Sequence, residues 1–162
     1  SGRLSVARSA DGLLGMDFPS QPGVALPVGE DIIQALGAEP TFLFGGEDLM
    51  AGFERQCQIA NIEPDFFALK QFERRGVIIT SPGDEVDFVS RFFAPKYDIP
   101  EDPVTGSAHC MLTPYWAGRL GKMEMQARQI SARGGDLTCV LNGERVAISG
   151  RACQYMKAEI SL

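Results

Sequence analysis

Apolar residues recur at every second position through most of this chain, the signature of half-buried strands, and one segment near residue 110 departs from it by being apolar nearly all round. Leu4 and Val6 read as one strand and Leu14, Met16 and Phe18 as the next, with Asp11-Gly12 supplying a hairpin turn. Pro19, Pro22 and Pro27 then predict an extended loop. Glu30 to Leu36 reads as a short helix stopped by Gly37, and the Thr41–Phe44 and Leu49–Phe53 runs around Gly45-Gly46 as a second hairpin. Pro64 at a first helical turn, followed by Phe66, Phe67 and Leu69, predicts another short helix. Val77-Ile78-Ile79 is a continuous apolar run of the kind buried on both faces, and Val86, Phe88 and Phe92 carry the strand pattern on to Pro95.

After residue 95 the period changes. A loop and the acidic turn Glu101-Asp102-Pro103 lead through Thr105-Gly106-Ser107 into a helix running past Met111 and Trp116 to Leu120 and Gly121. Its first turns are apolar on every side, so it belongs inside the fold, and Pro114 is expected to kink it or interrupt its hydrogen bonds. Strands return at Met125–Ile130 and Leu137–Leu141, then a type I′ signal at Asn142-Gly143, Val146–Ile148, and a last strand toward Leu162. Many strands and one long helix predict an α+β domain: a mixed, mostly antiparallel sheet curled around one central helix.

At 162 residues the chain can hide roughly 70% of its unfolded surface, enough for one domain with its own core. The net charge of −6 comes with no basic stripe; residues 119 to 162 carry seven basic groups against four acidic, scattered among strands. A nucleic-acid binder clusters Lys and Arg to displace phosphate counterions, so neither nucleic acid nor a membrane surface is an expected partner. No stretch approaches the 18 apolar residues of a membrane span. Cys57, Cys110, Cys139 and Cys153 are 53, 29 and 14 residues apart with one His in the chain, which is not zinc-ligand spacing. Their apolar surroundings predict buried thiols in a reducing cytoplasm.

Chemically capable groups meet a special backbone only at Glu101 to Ala108. A helix starting at Gly106 or Ser107 leaves its first N–H groups unpaired, glycine lets a ligand approach the main chain, and the helix dipole favours a carboxylate there. Asp102 is placed to accept a hydrogen bond from an amino or hydroxyl group of the same ligand, or to pass a proton. The plainer alternative is an N-cap, with Thr105 or Ser107 capping the helix and Asp102 sitting in a turn before it.

Phe92-Phe93-Ala94-Pro95, Pro100-Glu101-Asp102-Pro103-Val104-Thr105-Gly106-Ser107-Ala108-His109-Cys110, Pro114-Tyr115-Trp116 and Ser131-Ala132-Arg133-Gly134-Gly135 together resemble the phenazine-biosynthesis PhzF-like family. Leu13 to Pro19 and Arg75 to Thr80 fit it too, so the likeness runs in order along nearly the whole chain. It implies a diaminopimelate-epimerase-like fold of two lobes, each a mixed sheet around a central helix, with a cofactor-free active site in the cleft between them. Members are isomerases or epimerases that move a proton on a small carboxylate. Carried over by position, the resemblance makes Asp102 the catalytic group of this half and Thr105, Gly106 and Ser107 its substrate-binding residues, with no metal. The family's principal acid/base is a Glu in the other lobe, with a Gly-His pair, and this sequence has no counterpart for either. Residues 1 to 162 are therefore expected to be the C-terminal lobe alone, inactive by itself, and the missing starting Met fits a piece of a longer protein. A lobe parted from its partner exposes apolar surface, so a homo-oligomer, a dimer, is expected.

Single residues invite competing readings. His109 is read as a packed core residue and not a general base, and Cys110, inside the helix and after the Thr-Gly turn, does not stand where the two-thiol racemases of this fold carry their thiol. Tyr115 and Trp116 are read as packing aromatics and Arg133-Gly134-Gly135 as a turn between strands. The function expected is a lobe of a cofactor-independent isomerase. A noncatalytic domain that binds a small acid or a protein through the same helix end remains the alternative.

Overall fold

The computed structural model describes residues 5–160. Ten strands form one sheet in the order β1-β2-β10-β9-β8-β7-β6-β5-β4-β3. In chain order these are β1 (Val6–Arg8), β2 (Leu14–Pro19), β3 (Val24–Leu26), β4 (Phe42–Gly45), β5 (Leu49–Gly52), β6 (Val77–Pro82), β7 (Phe88–Phe93), β8 (Glu124–Gln129), β9 (Gly135–Asn142) and β10 (Arg145–Gly150). The helices are α1 (Glu30–Leu36), α2 (Gln56–Ala60), α3 (Phe66–Leu69) and α4 (Gly106–Leu120). Neighbouring strands are antiparallel except β5 with β6 and β7 with β8. A parallel pair needs a crossover, and α2 with α3 supply the first and α4 the second.

The alternating side chains of the central strands divide the core in two. Ile78, Phe88 and Phe92 face Ala108, Leu112 and Trp116 of α4, whereas Val77, Ile79, Val89 and Phe93 join Ile32, Ile59 and Leu69 from α1, α2 and α3. Both faces of β6 and β7 are therefore dry, as the Val77-Ile78-Ile79 run predicts. Trp116 lies in the middle of the α4 layer, stacked on Phe88 with ring centres 5.5 Å apart, and donates its indole N–H to Thr80 Oγ1 at 3.0 Å. No helix among the described residues is long and apolar enough to cross a membrane.

Several predicted details change. Val24–Leu26, inside the Pro-rich stretch expected to be loop, is an edge strand paired with β4; Pro22 and Pro27 stand outside it and leave all three of its N–H groups in place. Residues 56–60 form an unpredicted helix, held at its start by Gln58 Oε1, which accepts from the Glu54 and Arg55 N–H groups at 3.1 and 2.9 Å. Asn142 already pairs with Arg145, so the turn is Gly143-Glu144 with positive φ at Gly143 alone, and the two positive φ values of a type I′ turn are absent. The strand expected toward Leu162 is not formed by residues 151–160, which are exposed and without regular structure, because no described strand edge is paired with them. Leu4 and Leu162 themselves lie outside the described residues. Cys110 and Cys139 are buried as expected, but Cys57 and Cys153 are exposed.

Pro114 does not break α4. Proline cannot donate to the carbonyl four residues back, Cys110 O, and that oxygen instead accepts from the backbone N–H of Gln21 at 2.9 Å. The Pro-rich loop after β2 thus supplies the donor that the helix lacks.

Candidate functional site

The acidic turn is fixed to the sheet before α4 begins. The Asp102 N–H donates to Phe92 O at 2.9 Å, tying the turn to the end of β7. Glu101 turns away into a bidentate pair with Arg91, at 2.7 and 3.1 Å, and Arg91 also donates to the carbonyls of Ile59 and Ile62. Glu101 is thereby a structural anchor, and Asp102 is the carboxylate left facing the start of the helix, half-buried. Ser131 donates to Pro103 O at 2.8 Å, and Gly135 leaves room for Val104, since a Cβ there would stand 2.4 Å from Val104 Cγ2. The turn between β8 and β9 therefore buttresses the acidic turn; Arg133, exposed, and Gly134 lie in that turn as read, whereas Gly135 already opens β9.

Thr105 occupies the N-cap position of α4 but its side chain makes no capping hydrogen bond. The hydroxyl donates instead to Asp102 Oδ2. The plainer reading, a Thr cap that closes the helix end, does not describe this geometry. Gly106 and Ser107 are both partly exposed, and a Cβ on Gly106 would meet no atom within 4 Å. Neither packing nor a positive φ demands glycine there, so its effect is to leave the first turn of the helix open.

Gln129 enters as a residue not singled out from the sequence. Fully buried at the end of β8, it accepts from the Thr105 N–H at 2.8 Å and donates to Asp102 O at 2.6 Å and Thr105 Oγ1 at 3.2 Å. The available signal was its parity: Met125 and Ala127 are core positions of the same strand face, and a polar residue two further on needs buried partners.

Residues 32–158 match the family model described as phenazine biosynthesis-like protein. This chain belongs to that family. An uncharacterized isomerase of Pseudomonas aeruginosa is 47% identical over 163 residues, covering 100% of this chain and 62% of the relative. Another, from Halalkalibacterium halodurans, is 37% identical with 100% and 62% covered. A crystal structure of a phenazine biosynthesis PhzF-family protein from Enterococcus faecalis superposes with a TM-score of 0.93 at 42% identity, over 98% of this chain and 61% of that one. The chain thus spans about three-fifths of the length of these relatives.

In this phenazine biosynthesis-like chain, Asp102, Thr105, Gly106 and Ser107 come together at the α4 start, while His109 and Cys110 point elsewhere. His109 is wholly buried, and its Nδ1 lies 2.8 Å from Thr105 O, which as a carbonyl can only accept, so Nδ1 carries the proton. Desolvation lowers its pKa to about 4, more than the Thr105 contact raises it, and the ring is neutral at pH 7. Burial pushes the Cys110 thiol up to about 11, so it is no ready nucleophile.

Proposed function

We propose that this chain is the C-terminal lobe of a two-lobed, cofactor-independent isomerase or epimerase that moves a proton on a small carboxylate. The observation that carries the reading is the uncapped start of α4: the residue placed to cap it gives its hydroxyl to Asp102. The N–H groups of Gly106 and Ser107 then hold the substrate carboxylate with the help of the helix dipole. Asp102, held by the Thr105 hydroxyl, accepts a hydrogen bond from a neighbouring amino or hydroxyl group of the substrate or relays its proton. Isomerase-named relatives in Pseudomonas aeruginosa and Halalkalibacterium halodurans support the reaction class. The sheet curls around α4 as in a diaminopimelate-epimerase-like lobe, and the principal acid/base belongs to the other lobe, so the chain by itself is inactive. Val24, Phe67 and Tyr97 are exposed large side chains of the kind that a second copy covers in a dimer. The compartment proposed is the cytoplasm.

In the two-lobed protein, Asp102→Ala is expected to lower incorporation of solvent deuterium into substrate by about 10²-fold, the scale of a positioned proton-transfer group. Exchange that continues at the unmodified rate would remove Asp102 from the chemistry and favour a noncatalytic acid-binding domain.

A further inference from the structure

Thr105 is held at all three of its polar groups by buried side chains. Its N–H donates to Gln129 Oε1, its carbonyl accepts from His109 Nδ1, and its hydroxyl oxygen accepts from Gln129 Nε2 while its proton goes to Asp102 Oδ2. Gln129 is in turn fully used, because its second amide hydrogen goes to Asp102 O. Only one orientation of the amide satisfies these contacts, since Thr105 N–H requires an acceptor and Asp102 O a donor. A donor directed into Thr105 Oγ1 takes one of its two lone pairs and holds the side chain in a rotamer turned away from the second and third helical N–H groups, from which a capping threonine would accept. It also leaves that hydroxyl its own proton to give away, and Asp102 lies where the proton points. Gln129 is itself fixed by sheet register, opposite Ser90 in the parallel β7–β8 pair, with Ile130 N–H on Ser90 O at 2.8 Å.

We propose that Gln129 is a positioning residue, which keeps the start of α4 uncapped by turning the Thr105 hydroxyl away from the helix and onto Asp102. The inference rests on the reading of that helix start as a carboxylate site. Without Gln129 the Thr105 side chain rotates to the ordinary capping position, an N–H of Ser107 or Ala108 is taken, and Asp102 loses its hydroxyl donor. The selection of a bound carboxylate is therefore set from the far side of the turn, by a residue that touches no substrate.

The test uses Gln129→Leu, the double variant Gln129→Leu with Thr105→Val, and Ser90→Ala. The last removes a buried hydroxyl without a hydrogen-bond partner from the neighbouring position of the same row, so it controls for loss of core polarity. Three-bond couplings from the Thr105 backbone ¹⁵N and carbonyl ¹³C to its methyl carbon report its rotamer, and amide shifts of Gly106 and Ser107 report binding of benzoate as the probe. The rotamer facing Asp102 is expected in the wild type and in Ser90→Ala, and the capping rotamer in Gln129→Leu. Benzoate should bind Gln129→Leu about fivefold more weakly, the equivalent of one competing cap, and the double variant, which has no hydroxyl to cap with, should regain the wild-type affinity. An unchanged rotamer in folded Gln129→Leu, or a loss of binding that Thr105→Val does not restore, overturns the proposal. A capping rotamer in the wild type overturns it without any variant, so the proposal stays open to refutation if Gln129→Leu does not fold. Benzoate that leaves the wild-type Gly106 and Ser107 amides unmoved refutes the carboxylate site instead, and the couplings alone then decide the role of Gln129.

Discussion

At pH 7 the His109 ring is neutral, held between Thr105 O and Phe88, with ring centres 6.1 Å apart. Its Nε2 is buried with no hydrogen-bond partner, so the Thr105 carbonyl alone favours the charged ring, and burial outweighs it. A histidine of pKa 6.5 in the unfolded chain and about 4 in the fold binds a proton first when unfolded, so stability present above pH 6.5 is lost as pH falls through 6.5 toward 4. The loss amounts to about 3 kcal/mol at the lower end of that window. Urea unfolding of the wild type and His109→Gln at pH 7 and at pH 4 measures it: the wild type is expected to lose ground to the variant by about that amount. A constant difference between the two proteins would show that the ring protonates in the folded state as readily as in the unfolded one.

Pro114 shows how one element depends on another. An interior proline costs a helix about 3 kcal/mol relative to alanine, through the lost hydrogen bond and the clash of its ring with the preceding turn. Here the Gln21 N–H already satisfies Cys110 O. Pro114→Ala is therefore expected to raise stability by less than about 1 kcal/mol in a denaturation series, well short of the unmitigated value. A gain near the full penalty would mean that the Gln21 contact does not compensate. The same element marks the limit of what the sequence discloses. The ends of α1 and α4 were readable because Gly37 and Gly121, both in the left-handed region, stop them. The compensation for Pro114 was not, because its donor lies 93 residues earlier in a loop. Val24–Leu26 and Gln56–Ala60 are too short to show a period, and each exists through its neighbours: β4 for the first, the Gln58 side chain for the second. At the site, Asp102, Gly106 and Ser107 could be named from residue types in a motif. The direction of the Thr105 hydroxyl could not, since it depends on Gln129, 24 residues away on another strand.

At the scale of the molecule, the described residues form one sheet with helices on both sides, and the candidate site lies in the β7–α4–β8 crossover near its middle. That crossover is built from residues 88 to 129, a compact stretch of sequence. The pairing of β2 with β10 is different, since it brings Pro19 opposite Arg145 and closes most of the chain into a loop, latched at the rim by Arg145 Nη2 on Asp17 Oδ2 at 2.7 Å. Ordering so long a loop costs entropy that only the finished β10 edge can offset. During refolding, pulse-labelled amides of β2 are expected to gain protection after those of β6 to β8; protection that arrives together would exclude this order. On a ribosome the consequence is a delay: β2 must wait, unpaired with the body of the sheet, until β10 has left the exit tunnel.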